Sequence, residues 1–233
     1  MLNVKIFSLY PKLFPGPLDI GLYKKARNKK IWSLKVINIR DHSKDKHKTV
    51  DDTPYGGGSG MLMRADVLAN ALDKNINRKK KETIIYLSPK GKIFNQVIAK
   101  KFSKLKNINI ICGHFEGIDQ RILETRNIEE ISLGDYILSG GETASFVFLD
   151  AIIRLLPGVL GNKFSAQEES FENSLLEYPQ YTKPQKWEKK STPDVLLSGD
   201  HSKIKGWRLA QSEAITRRLR PDLWQKYITK KKK

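Results

Sequence analysis

The chain is short of cysteine, of acidic residues and of long apolar runs, and each shortage excludes something. Cys112 is the one cysteine in 233 residues, so no intramolecular disulfide can brace the fold, and the composition suits a reducing cytoplasm. Asp and Glu total 25 against 43 Lys and Arg, a formal charge of +18. Such an excess favours a polyanionic partner, nucleic acid or an acidic membrane surface. The competing explanation is a Lys-, Asn- and Ile-rich composition set by codon bias, with Lys230 to Lys233 a solvated tail. The N-terminal run "MLNVKIFSLYPKLFPG" is broken by Lys5 and ended by Tyr10-Pro11, too short for a signal or membrane-spanning segment. No repeat of fixed period occurs, which argues against solenoids and propellers.

Familiar nucleotide and metal signatures are missing too. The glycine cluster in "DDTPYGGGSGMLM", Asp51 to Met63, lacks the Gly-Lys-Ser/Thr ending of a phosphate loop and the strand-to-helix setting of a dinucleotide fingerprint. "LSGGE", Leu138 to Glu142, resembles the signature loop of transporter ATPases, but that loop works opposite a phosphate loop and none is present. His42, His47, Cys112 and His114 are possible metal ligands at spacings that match no zinc pattern.

What the chain does have is enough apolar residue, 39%, for a substantial core. β-rich runs recur at Val4 to Leu9, Leu34 to Ile39, Thr83 to Leu87 and Asn107 to Cys112, with helix-like stretches at Ala65 to Asn75 and Asn95 to Phe102. Strands alternating with helices predict an α/β domain around a mostly parallel sheet. "ETASFVFLDAIIRLL", Glu142 to Leu156, is apolar nearly all round a helix, which predicts burial on several sides, in a core or against a second subunit. Asp150 and Arg154 lie four apart on it, either as an internal ion pair or with Arg154 held ready for an anionic group. After Pro157-Gly158 the composition turns polar and proline-punctuated, and from Ser202 a basic helical pattern carries Trp207 and Trp224, suited to phosphate contacts with occasional stacking.

Three polar or glycine-rich loops follow strand-like runs: "YLSPKG" from Tyr86, "CGHFEG" from Cys112 and "SLGDYILSGGE" from Ser132. In an open α/β sheet ligands bind beyond the carboxyl ends of the strands, so the three are candidates for one pocket, with Glu116 and Asp135 able to hold hydroxyl or amino groups. Taken singly, each is an ordinary turn.

These loops, with "RDHSKDKHKTVDDTPYGGGSGMLM", "RLLPGVLG", "EESF", "YPQYTKP" and "PDVLLSGDHSKIKGWR", resemble the bacterial tRNA (guanine-N1)-methyltransferase family of the SPOUT superfamily, in order and over almost the whole chain. The resemblance implies methyl transfer from S-adenosyl-L-methionine to N1 of the guanosine at tRNA position 37 where a guanosine precedes it. It also implies a parallel-sheet α/β domain with a deep trefoil knot, and an obligate homodimer with active sites at the subunit interface. The implied organisation is a catalytic domain over 1–160, a linker over 161–175 and a basic, mostly helical tRNA-binding domain over 176–233. Carried over by position, the methyl donor is held by Tyr86, Leu87, Ser88 and Pro89, by Gly113, Phe115, Glu116 and Gly117, and by Ser132, Leu133, Gly134, Tyr136, Leu138, Gly140 and Gly141. Tyr55, Gly57, Gly58, Ser59 and Gly60 close around donor and target guanine, because glycine lets backbone approach a flat base. Arg154 is the implied catalytic arginine, and either it or a bound divalent cation, Mg2+, would stabilise the charge that develops on O6. The general base falls on Glu169, where the family usually has aspartate, with Glu168 as the neighbour able to substitute. Phe115 stands where the family often has tyrosine, so packing rather than a hydroxyl is what that position needs. The rival functions are a related knotted methyltransferase acting on ribosomal RNA and a non-catalytic RNA-binding protein.

Overall fold

The computed structural model describes residues 1–77, 82–161 and 170–231. The chain divides into two compact units, Met1–Gly161 and Asn162–Lys233. Along the first run β1 (Leu2–Ser8), α1 (Gly21–Asn28), β2 (Trp32–Asn38), β3 (Asp51–Asp52), β4 (Leu62–Met63), α2 (Ala65–Asn75), β5 (Thr83–Ile93), α3 (Gln96–Ser103), β6 (Asn107–Ile111), α4 (Gln120–Arg126), β7 (Glu129–Ser132) and α5 (Gly141–Ile153). Five strands form one parallel sheet in the order β2-β1-β6-β5-β7, while β3 and β4 pair antiparallel by themselves.

The alternation of side chains along each strand builds a three-layer domain. Leu2, Val4 and Ile6 of β1 join Ile108 and Ile110 of β6 in one apolar cluster with Ile98 and Phe102 of α3 and Phe148, Leu149 and Ile152 of α5. Phe7 and Ile111 point the other way, into a second cluster with Val67, Leu68 and Leu72 of α2 and Ile122 and Leu123 of α4. Both faces of a parallel sheet are thus covered, which is why its strands read as near-continuous apolar runs. Asn109, fully buried in β6, survives there because its amide donates to Thr83 O at 3.0 Å and to Glu82 Oε2 at 3.1 Å.

β5 extends six residues past the predicted Leu87, because its pairing with β7 shifts register: Leu87 and Lys92 both face Ile131. The intervening Ser88-Pro89-Lys90-Gly91 bulges from the ladder, and a bulge re-aims its side chains. Helices α1 and α4 carry little sequence signal, although α4 is framed by Asp119, whose carboxylate caps Arg121 N, and by Asn127 at φ +50°. Within this chain α5 is buried on most of its surface, while Thr143, Val147 and Asp150 are exposed.

The second unit holds a short hairpin, β8 (Lys186–Trp187) and β9 (Lys190–Ser191), and two helices, α6 (His201–Leu219) and α7 (Pro221–Lys231). Asp200 caps α6 by accepting from Ser202 N and Lys203 N, and Pro221 opens α7, where a missing N–H costs nothing. Buried Thr216 accepts a bond from Leu176 N at 2.7 Å, tying the preceding segment to α6. Most of the linker expected over 161–175 lies outside the described residues. Among the described residues no helix is long and apolar enough to cross a membrane.

Candidate active site

The bulged middle of β5 and the loops leaving β6 and β7 converge beyond the carboxyl ends of β6 and β7, the general ligand position of open α/β sheets. They enclose a cavity of about 220 Å³ lined by residues 86–89, 113–117, 131–134 and 136–141 and by Ala144. The residues that the resemblance assigns to the donor, from Tyr86 to Gly141, all lie in that lining, whereas Asp135 does not. Its wall mixes apolar side chains (Leu87, Leu133, Ile137, Leu138) with Ser88, Ser132 and Ser139, and Glu116 is its carboxylate. Apolar walls with a few placed polar groups are the general make-up of a small-molecule pocket.

Close backbone crossings shape the wall. Gly141 N donates to Gly113 O at 2.9 Å, and a Cβ at Gly141 would stand 2.6 Å from Cys112 Cα. Gly113 in turn leaves room for the Tyr86 ring, which a Cβ would meet at 2.6 Å. Burial, with the Glu130 carboxylate nearby, pushes the Tyr86 phenol up to about 12. Cys112, fully buried behind this wall, has its thiol pushed well above the usual range by the same loss of water, which makes it inert.

A buried polar chain braces the meeting point of two loops. Glu142, in the first turn of α5 and 3% exposed, accepts the Ser8 hydroxyl at 2.5 Å and meets His114 Nε2 at 2.6 Å with its other oxygen. Ser8 Oγ accepts from Tyr10 N at 2.8 Å, and the Tyr10 ring sits edge-on to His114 with centroids 4.8 Å apart. The helix N-terminus favours a negative group there, and both carboxylate oxygens are satisfied. In the sequence His114 reads as a possible metal ligand and as part of the "CGHFEG" loop, and its partnership with Glu142 is not legible there. The one signal available was an acid in the first turn of an otherwise apolar helix.

The glycine cluster lies beside the cavity rather than in its lining. Gly56, Gly57, Gly58 and Gly60 all have φ between +78° and +128°, a conformation that requires glycine. Tyr55 is 99% exposed, and Gly57, Gly58 and Ser59 are exposed with it. Gly60 packs against Glu116, whose Cγ a Cβ would meet at 2.5 Å. Backbone bonds from Glu116 N to Met61 O and from Met63 N to Gly117 O, each 2.9 Å, fasten the end of the glycine loop to the β6 loop.

Arg154 caps the C-terminus of α5 and is not in the lining of this chain's cavity. Asp150, one turn earlier, accepts the Tyr23 hydroxyl. Burial and that bond raise the Tyr23 phenol to about 12. Glu168 and Glu169 lie outside the described residues. Among the described residues no group of three or more His, Cys, Asp or Glu side chains gathers as a metal site.

Comparison with known proteins agrees over nearly the full length. The family model described as tRNA (Guanine-1)-methyltransferase TrmD matches residues 2–226. The tRNA (guanine-N(1)-)-methyltransferase of Pelagibacter ubique is 67% identical over 227 residues, covering 97% of this chain and 99% of that protein. Those of Wolbachia pipientis and a Chelativorans species are 54% and 53% identical, each covering 95% of this chain and 94% of the relative. With its motifs in order, three strand-end loops around one cavity and relatives matched end to end, the chain belongs to the tRNA (guanine-1)-methyltransferase family.

Proposed function

We propose that this protein methylates N1 of guanosine 37 in tRNAs that carry guanosine at position 36, with S-adenosyl-L-methionine as donor. The observation that carries the reading is the gathering of all three donor loops into one cavity at the sheet's carboxyl edge. Leu87, Leu133 and Leu138 would pack the adenine, while backbone groups and Ser132 meet its polar edge. Glu116 would face the amino group of the methionine part. The sulfonium, when bound, supplies the methyl group in electrophilic form.

The remaining chemistry belongs to the protein. Guanine N1 carries a proton and is a poor nucleophile until it is lost, so Glu169 serves as general base, an effect worth about 10²–10⁴ in rate. Charge then moves toward O6, where the Arg154 guanidinium stabilises it. Glutamate is one methylene longer than the aspartate usual at this position in the family. Mg2+ has a weak case in the described donor set, where Glu116 is the cavity's carboxylate, and no step is assigned to it. Holding both substrates in line supplies much of the remaining acceleration.

Two features support a site built from two subunits in a knotted fold. Arg154 stands outside its own chain's cavity, at the end of the helix whose Val147 face is exposed. The contact of Gly141 with Cys112 and Gly113 is the tight crossing a threaded loop would make. The second unit, with its basic helices, grips tRNA through phosphates, so binding weakens steeply with salt. The protein acts in the cytoplasm, where its substrate is.

The test is methyl transfer from labelled donor to two tRNA transcripts, one with guanosine at 36 and 37 and one with adenosine at 37. Label in the first alone, mapped to N1, is the expected result. Glu169→Gln should lose turnover by about 10²-fold or more with donor affinity kept; full activity in that variant sinks the assignment of the base.

A further inference from the structure

Of the four tryptophans, Trp32 is buried and Trp207 and Trp224 are half-buried, whereas Trp187 exposes 65% of its surface. Of the other large aromatic groups described in its unit, Tyr181 lies against Trp207, Trp224 against Tyr227, and Arg208 stacks over Tyr178 at 4.8 Å, while Phe171 is half exposed. Trp187 is carried out on the hairpin of β8 and β9, whose residues are exposed throughout. Its register is Lys186 opposite Ser191 and Trp187 opposite Lys190, continued by Thr192 N donating to Gln185 O at 2.9 Å. The turn between them is Glu188-Lys189, with Glu188 at φ +53°.

Residues directly opposite on paired strands project from the same face. The indole therefore shares its face with the Lys190 ammonium, and Lys186 lies on the other. The stretch "KPQKWEKK", 183–190, holds four lysines against one glutamate. An exposed indole beside a cation is the combination that takes an unpaired base on its flat face and the neighbouring phosphate on its charge.

We propose that the Lys186–Ser191 hairpin is an RNA-docking element, with Trp187 stacking on an unpaired nucleotide of the tRNA and Lys190 pairing with an adjacent phosphate. This rests on the reading of the protein as a tRNA methyltransferase. The hairpin's own charge, four lysines against one glutamate, favours a polyanion as its occupant. A second copy of this chain is the competing occupant.

The full-length protein and a tRNA transcript test it. Trp187→Ala weakens tRNA affinity by roughly 5- to 150-fold, the range of one lost base stack. Trp187→Phe restores most of it, and S-adenosylmethionine affinity is unchanged in both. Lys190→Ala reduces the slope of log K against log salt by about 1. In the wild type, tRNA shields the one exposed indole from acrylamide quenching. Because the side chain is exposed, the variants melt with the wild type. Wild-type tRNA affinity in Trp187→Ala, or unchanged quenching with tRNA bound, overturns the proposal. So does a Trp187→Ala variant whose sedimentation, rather than its RNA affinity, changes, since the hairpin then joins copies of the chain. If the wild type itself neither binds nor methylates tRNA, the functional reading fails first, and that control separates the two failures.

Discussion

Substituting Gly141 by alanine tests the close crossing on which the cavity depends. The added Cβ would lie 2.6 Å from Cys112 Cα and 2.9 Å from Gly113 N, both backbone atoms that cannot swing aside as a side chain would. Carbon atoms rest at about 3.5–4.0 Å, so the two passes must separate by about 1 Å. That opens the 2.9 Å bond from Gly141 N to Gly113 O and moves one wall of the cavity against the other. Overpacking of this kind costs about 1–3 kcal/mol. In a unit of this size each kcal/mol shifts Tm by about 2–4 °C, which places the expected drop at ~2–12 °C. A displacement of ~1 Å at a reacting site also costs about 10²-fold in kcat/KM. Thermal melting and methyl-transfer kinetics read the two effects separately. Gly161→Ala is the control, because a Cβ there meets nothing within 4 Å. A Gly141→Ala protein with wild-type Tm and kinetics would show that the crossing is looser than drawn and that the argument from it is wrong.

The remaining predictions concern burial, helix propensity and titration. Glu142→Ala strands the Ser8 hydroxyl and the His114 ring in a water-poor site and lowers stability by about 2–5 kcal/mol in urea denaturation, more than Ser8→Ala does; equal losses would mean the histidine contact contributes nothing. Gly206 lies inside α6 with open space where a Cβ would go, so Gly206→Ala raises stability of the second unit by about 0.5–1 kcal/mol, and a lower melting point would reveal a close approach there. Tyr86 holds its proton up to about 12 in the folded chain against an ordinary 10. Its contribution is therefore complete below pH 10 and is lost as pH rises from about 10 to about 12, so the alkaline fall in stability is shallower in Tyr86→Phe; an identical slope counts against a buried phenol.

The apolar runs at Val4 and Asn107 and the helix over Ala65 to Asn75 were legible because they follow from local rules, the period of a strand or helix and the wish of apolar groups to leave water. The chain's basic character, its lack of disulfides and the order of its motifs are likewise properties of the string of residues, and the last of these leads to the family. Local rules do not say that β6 inserts between β1 and β5, or that β5 shifts register past Leu87 and turns Ser88 to Gly91 out of the ladder. Nor do they bring Ser8 to Glu142 across 134 positions, with His114 on the other oxygen. Arg154 reads as a site residue in the sequence, yet the folded chain holds it away from its own cavity. Such arrangements exist only once the sheet is assembled, because they depend on which distant segments exclude water together and which buried polar groups then find a partner, and neither is encoded in any single stretch of chain.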